Sequence, residues 1–129
     1  MAKGNVELVQ GWFERWNRGE RDFSEDEIHP DMQVMSRLRR EPFRGRAGLQ
    51  DWFAEIDEQF QEWVVIGDEW RAGDDLVVVL GRVRLRGKES GVGFDQPTGW
   101  LFEFRDGRLF RLRNFVRPHE ALKAAGMRE

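Results

Sequence analysis

Asp95 is the acidic residue whose surroundings best suit acid–base chemistry. It precedes Gln96 and Pro97 within a stretch that has the composition of a β-strand, and a proline inside a strand favours a bulge or an edge position. Because a bulge can redirect a side chain towards a pocket, Asp95 is a candidate general acid or base. A turn-stabilising aspartate at the rim of the sheet is the alternative that the same pattern allows.

The other ionisable residues offer weaker sites. Asp57 flanks the apolar stripe of a helix, so it either overlooks a cavity or lies in solvent. His29 and His119 lie far apart and lack carboxylates at ligand spacing, and we therefore expect no metal site and no cofactor. Arginines alternate along one strand face, which predicts a solvated or subunit-facing row consisting of Arg82, Arg84 and Arg86.

Uncharged polar residues fall on strand faces that are otherwise apolar. Asn114 alternates in phase with apolar neighbours, and Gln96 and Thr98 share a face with Trp100. A tight turn joins these two strands, so the two faces lie on the same side of the sheet. Ser36 on an earlier strand completes a polar group with Thr98 and Asn114. Each of these residues either contacts a ligand or is satisfied by a hydrogen bond within the core.

Large aromatic residues are too numerous for a thin two-layer core unless some of them line a cavity. We therefore predict a pocket for a small apolar or aromatic molecule. Its predicted lining is Trp12, Trp16, Ser36, Trp52, Phe53, Thr98, Trp100 and Asn114.

Hydrophobic periodicity predicts the elements that position these residues. Asn5 can cap a helix over about 6–18, and a stripe at helical spacing predicts another helix over about 49–60. Ser24 and Glu27 form a capping-box pattern that predicts a short helix between the two. A last helix is expected over about 118–126. Strands of an antiparallel meander are predicted over about 32–38, 63–72, 76–86, 91–105 and 108–116.

Length and composition limit the class of protein. The 129 residues suit a single domain over 1–129, and 40% hydrophobic residues suffice for one core. No apolar run approaches the roughly 18 residues of a membrane span, and the first residues lack the apolar stretch of a secretory signal, so a cytoplasmic location without membrane attachment is expected. The net charge of −3 argues against nucleic acid as a partner. The absence of cysteine excludes disulfides and thiol nucleophiles.

Several turn and cap segments occur together in a characteristic order. They are 5–9, 17–20, 29–32, 43–46, 91–97, 105–109 and 111–113, which read NVELV, NRGE, HPDM, FRGR, GVGFDQP, RDGRL and RLR. In this order the chain resembles the SnoaL-like branch of the nuclear transport factor 2-like superfamily. The resemblance implies an α+β fold: a cone-shaped domain with a strongly curved antiparallel sheet packed on three main helices, and a cavity inside the cone.

That superfamily includes ketosteroid isomerases, polyketide cyclases, epoxide hydrolases and members that only bind ligands. The resemblance puts Ser36, Trp12 and Trp100 where a ketosteroid isomerase has its base, its tyrosine and its acidic donor, and the chain has no tyrosine at all. Ketosteroid isomerisation by that mechanism is therefore not expected. Limonene epoxide hydrolases activate water with two aspartates bridged by an arginine. No equivalent set can be assigned here, because no aspartate with inward parity lies beside the arginine row.

The sequence is compatible with three functions. The first is binding of a small hydrophobic or aromatic ligand in the pocket. The second is a cyclase, isomerase or hydrolase activity with Asp95 as acid or base and Asn114 or Ser36 positioning the substrate. The third is a non-catalytic dimerisation domain with a filled core. In each case a homodimer is expected, because Val78 and Leu80 lie beside Arg82 and Arg84 on the outer sheet face.

Overall fold

A computed structural model describes residues 4–36 and 40–128. The helices are α1 (Asn5–Asn17), α2 (Gly45–Gln59) and α3 (Pro118–Ala124). The strands are β1 (Ile28–Met35), β2 (Phe43–Arg44), β3 (Phe60–Gly73), β4 (Leu76–Gly87), β5 (Gly93–Arg105) and β6 (Arg108–Phe115). The predicted α+β class is confirmed.

The six strands form a single sheet in the order β2-β1-β6-β5-β4-β3. The predicted meander is correct for β3 to β6, which pair antiparallel with their sequence neighbours. The sheet is nevertheless mixed, because β1 pairs parallel with β6. The strong curvature that we expected is wrong. The β4–β5 ladder keeps one register from Leu76 to Arg86, without a bulge that would bend these two strands.

Two element predictions near the amino terminus need correction. Asn5 is the first residue of α1, and Gly4 occupies the cap position. The segment after Ser24 is a turn, in which the Ser24 N–H donates to the Glu27 carboxylate at 3.2 Å. It does not continue into a helix, because the Glu27 carbonyl accepts from the Leu109 N–H and Ile28 already pairs with β6.

The helices lie on both sides of the sheet. α1 and α2 cover the inner face, where one large cluster of buried apolar residues forms the core. α3 covers part of the outer face and forms a second, smaller cluster with Val78 and Leu101. The outer-face pair that we expected to be available for dimerisation is therefore largely covered, with Val78 fully buried and Leu80 half-buried.

None of the helices in the described part of the chain is long and apolar enough to cross a membrane.

Candidate functional site

A pocket of about 270 Å³ opens on the inner face of the sheet, between the carboxyl-terminal half of α2 and the β4–β5 hairpin. Its walls are mostly aromatic and aliphatic side chains: Trp52, Ile56, Phe60, Trp63, Val83, Leu85 and Phe94. Its polar lining consists of Ser36, Gln96, Thr98 and Asn114. None of these lining residues carries a charge.

Strand alternation brings the polar residues to this pocket. Thr98 belongs to β5 and Asn114 to β6, and the Trp100–Asn114 register pair shows that the two strands present them on the same face. Ser36 directly follows β1, whose parallel pairing with β6 carries it to the same end of the sheet. The sequence stripe in α2 adds Trp52 from the facing layer.

Hydrogen bonds at the polar end are only partly complete. The Trp52 indole N–H donates to Ser36 Oγ at 3.1 Å, and the Thr98 hydroxyl donates to the Gln96 carbonyl at 3.0 Å. The amide oxygen of Asn114 is buried and has no hydrogen-bond partner among the residues that the structure describes. A buried acceptor of this kind is costly to leave unpaired.

The other residues predicted to line the pocket lie in the aromatic core instead. Trp12, Trp16, Phe53 and Trp100 are each at most 2% exposed. Rings fill the space around them: Phe13 contacts Trp100 with ring centroids 5.0 Å apart, and Trp16 contacts Phe53 at 5.3 Å. The interior is therefore filled around the middle of α1, whereas the pocket described above opens towards the β4–β5 hairpin.

Asp95 does not reach the pocket. It lies on the outer sheet face, where its carboxylate forms ion pairs with Arg84 at 3.4 Å and Arg82 at 3.7 Å. The expected bulge at Pro97 does not occur, because Pro97 pairs in register with Arg82. Pro97 instead occupies the stretch of β5 beyond the end of β6, which is an edge on that side. With regular alternation, Asp95 points away from Thr98.

The remaining ionisable candidates also lie outside the pocket. Asp57 is exposed and pairs with Arg21, whose guanidinium lies over the rings of Phe53 and Trp63. His29 Nδ1 accepts from the backbone N–H of Asp31 at 3.0 Å. Across the described residues, no group of His, Cys, Asp and Glu side chains is arranged to hold a metal ion.

Some residues that line the pocket were missing from the sequence prediction, although strand alternation places them on the inner face. Val83 and Leu85 belong to the apolar face of β4, and Phe94 continues the Gln96–Thr98 face of β5. Trp63 lies on β3 directly opposite Leu85. The pattern assigns all four to the inner face, but it does not show how far along each strand the interior stops being filled.

The fold and this pocket define a class of protein, and comparison with known proteins identifies the family. A family model described as SnoaL-like domain matches residues 9–112. The chain therefore belongs to the SnoaL-like family. Among curated proteins, none matches.

Solved structures give the same fold at low sequence identity. An NTF2-like protein of unknown function from Burkholderia pseudomallei is 16% identical, with a TM-score of 0.80 over 95% of this chain and 97% of the other. TerC, co-crystallised with polyporic acid, is 18% identical, with a TM-score of 0.76 over 92% and 98% of the two chains. A protein with a ketosteroid isomerase-like fold from Catenulispora acidiphila, in complex with trimethylamine, is 16% identical, with a TM-score of 0.73 over 97% and 96%.

Proposed function

We propose that the protein binds a small, uncharged, apolar or aromatic molecule in the pocket between α2 and the β4–β5 hairpin. The observation that carries this proposal is the lining, which combines aromatic walls with a short polar end and no charged side chain among its described residues. A charged ligand would lose its hydration there without gaining a counter-ion. A volume of about 270 Å³ lies just below the roughly 300–1,000 Å³ of typical ligand pockets and suits a molecule of one or two rings.

The exposure of Phe94 supports binding. This side chain is 49% exposed and lines the pocket. A large aromatic ring in water at a pocket mouth gains from being covered by an apolar ligand. The same observation argues against the alternative of a non-catalytic dimerisation domain whose core is completely filled. The co-crystallisation of TerC with polyporic acid and the complex of the Catenulispora protein with trimethylamine support small-molecule binding by proteins of this fold.

Acid–base catalysis through Asp95 has no support from its position, since that carboxylate is held by arginines on the opposite face of the sheet. Asn, Ser, Thr and Gln side chains do not act as general bases at neutral pH without an activating partner. Binding is therefore the function that the geometry favours.

The direct test is binding of 2-methylnaphthalene, followed by calorimetry, to the natural protein and to Phe94→Ala. We expect micromolar-range or weaker binding and a several-fold loss of affinity in the variant, because half of the ring's area is already exposed and its removal mainly affects the ligand. Val92→Ala is the matched control: Val92 is 60% exposed and does not line the pocket. Equal affinities for both variants, or tighter binding of naphthalene-2-carboxylate than of the neutral compound, would contradict the proposal.

We also propose that the protein forms a homodimer. The contact would use the part of the outer sheet face that α3 leaves uncovered. Arg84 and Asp95 are each about half-exposed there, with side-chain exposures of 50% and 47%. The cytoplasmic location stays a prediction.

A further inference from the structure

We infer that Arg21 is a positioning residue for the pocket: it holds the ring of Trp63 in place as an aromatic wall against which the ligand packs. This inference rests on the proposed binding function, and it adds a residue that contributes to ligand affinity without lining the pocket itself. Arg21 belongs to the segment between α1 and β1, and Trp63 lies near the start of β3.

Trp63 is a pocket wall at the edge of the sheet. It is half-buried and lies on β3, the last strand on this side. The β3–β4 register shifts between Phe60 and Glu62, immediately before Trp63. Trp63 also lines a second cleft, of about 330 Å³. Because the ring borders free space in addition to the pocket, contacts from the second cleft are needed to fix its orientation.

Arg21 supplies such a contact. Its guanidinium carbon lies 5.5 Å from the centroid of the Trp63 ring and 4.9 Å from that of Phe53, and Arg21 lines the second cleft together with Trp63. A guanidinium over an aromatic ring is attracted by the negative face of the ring. Asp57 of α2 forms an ion pair with this guanidinium, and the Arg21 side chain is only 17% exposed. Arg21 is therefore packed between α2 and β3 instead of extending into solvent.

This arrangement links Arg21 to ligand affinity through the ring alone. Without the guanidinium, the Trp63 ring gains freedom to turn or to shift towards the second cleft. Part of the binding free energy then goes into ordering the ring, and the affinity falls. Because Arg21 does not line the pocket, its charge has no direct contact with an uncharged ligand there.

Binding of 2-methylnaphthalene to Arg21→Met tests this role, because methionine keeps an unbranched side chain but removes the cation and its planar fork. We expect the affinity to fall about three- to fivefold, which is the size of a cation–π contact at a partly exposed site. Arg21→Lys should restore part of the loss, since an ammonium group is also attracted by the ring.

Arg105→Met is the matched control. The Arg105 guanidinium carbon lies 3.8 Å from the centroid of the Phe110 ring, but Phe110 does not line the pocket. Removal of this contact should leave the affinity for 2-methylnaphthalene unchanged. An equal loss of affinity in Arg21→Met and Arg105→Met would overturn the inference.

A double-mutant cycle shows whether the effect of Arg21 passes through the Trp63 ring. Trp63→Leu keeps an apolar wall but lacks the indole. In that background, Arg21→Met should change the affinity by less than about 1.5-fold, because the partner of the guanidinium is already missing. The same loss in both backgrounds would show that Arg21 acts by another route and would overturn the inference.

Fluorine NMR provides a measurement without ligand. With 5-fluorotryptophan at all six tryptophan positions, the resonance that disappears in Trp63→Phe belongs to Trp63. This resonance should shift in Arg21→Met and stay in place in Arg105→Met, whereas a mere loss of stability does not move a native-state resonance. An unmoved Trp63 resonance in Arg21→Met would overturn the inference and leave the binding function standing. Failure of 2-methylnaphthalene to bind the natural protein would instead contradict the proposed function and, with it, the role of Arg21 in affinity.

Discussion

Asn114 and Asp95 are both polar residues on neighbouring strands of the same sheet, yet they face opposite environments. Asn114 lines the pocket with an unpaired buried oxygen, whereas Asp95 is about half-exposed among arginines. The carboxylate lies beside water and guanidinium groups, and the uncharged amide is the group that lines the apolar pocket. At the residue scale, this division favours recognition of a neutral molecule.

The unpaired oxygen of Asn114 predicts an effect on stability in the absence of ligand. Asn114→Leu should leave the free energy of unfolding unchanged or raise it by about 1 kcal/mol, because it replaces an unsatisfied buried acceptor by an apolar side chain of similar size. Thr98→Val is the contrasting control, since Thr98 is 2% exposed and loses its hydrogen bond to the Gln96 carbonyl. It should destabilise by about 1 kcal/mol. Urea unfolding of both variants measures the difference, and a loss of 2 kcal/mol in Asn114→Leu would contradict the argument.

Strand alternation predicted the direction of individual side chains more reliably than it predicted their surroundings. Ser36, Thr98 and Asn114 were assigned to the inner face from parity, and the structure brings them to the pocket. Trp100 has the same parity but is packed against Phe13 in the filled part of the core. The two-residue repeat of a strand determines which face of the sheet each side chain lies on. Whether the space around that side chain is filled depends on aromatic rings from segments far away in the sequence.

At the scale of elements, the end of α1 is fastened to the edge of the sheet by one side chain. Asn17 donates from Nδ2 to the Val65 carbonyl and accepts with Oδ1 from the Val65 N–H, both at 2.9 Å. β3 is the last strand of the sheet on this side, so the amide takes the place of a neighbouring strand at an otherwise open edge. This contact positions α1 over the same sheet whose inner face forms the pocket.

Removal of this amide should loosen α1 from β3. We expect Asn17→Ala to lower the free energy of unfolding by about 1–2 kcal/mol, because both hydrogen bonds to Val65 are lost and water replaces them only in part. Arg18→Ala is the neighbouring control: its ion pair with Glu20 is exposed, with both side chains more than half accessible, and should contribute little. Equal stability of the two variants, measured by urea unfolding, would show that the Asn17 contact is unimportant.

Gly99 determines how closely α3 approaches the outer face. A Cβ atom at this position would lie 2.9 Å from both the Ala121 Cβ and the Pro118 carbonyl oxygen, closer than packed atoms tolerate. Gly99→Ala should therefore displace α3 and destabilise by about 1–3 kcal/mol. Gly11→Ala in α1 is the control, because an added Cβ meets nothing within 4 Å there and alanine favours a helix. Thermal unfolding should shift in opposite directions for the two variants.

Sequence periodicity predicted best the elements that have a regular apolar pattern within their own sequence. The apolar stripes of α1 and α2 gave their approximate bounds, since each helix buries one face. The bounds of β4 followed from its run of Val and Leu, although the first half of this strand buries both faces. The parallel pairing of β1 with β6 was missed, because no local pattern in β1 encodes a partner that lies far along the chain. The side of the sheet on which α3 lies was missed for the same reason, although Gly99 and the buried Val78 are its signals.

At the scale of the whole molecule, α3 divides the outer sheet face into two parts. One part is covered and apolar, around Val78 and Leu101. The other is open and carries alternating charges across three strands: Asp68 and Asp95 flank Arg82, with separations of 3.2 and 3.7 Å. Half-buried Val64 and Ile66 lie on the same face of β3, opposite Arg84 and Arg82.

This open part of the outer face predicts a homodimer at micromolar concentration. A second copy related by two-fold symmetry can place its arginines against the acids of the first, and the valine and isoleucine supply apolar area between the charged pairs. Because the charges are partly exposed, the dimer should weaken when the salt concentration rises from about 0.1 M to about 1 M, where the Debye screening length falls to roughly 3 Å.

Arg84→Glu puts a like charge beside Asp95 and should shift the equilibrium towards monomer. Lys123→Glu, which reverses an exposed charge on α3, should leave it unchanged. Sedimentation equilibrium over a concentration series measures all three proteins, and a natural chain that stays monomeric at every concentration would show that this surface faces only solvent.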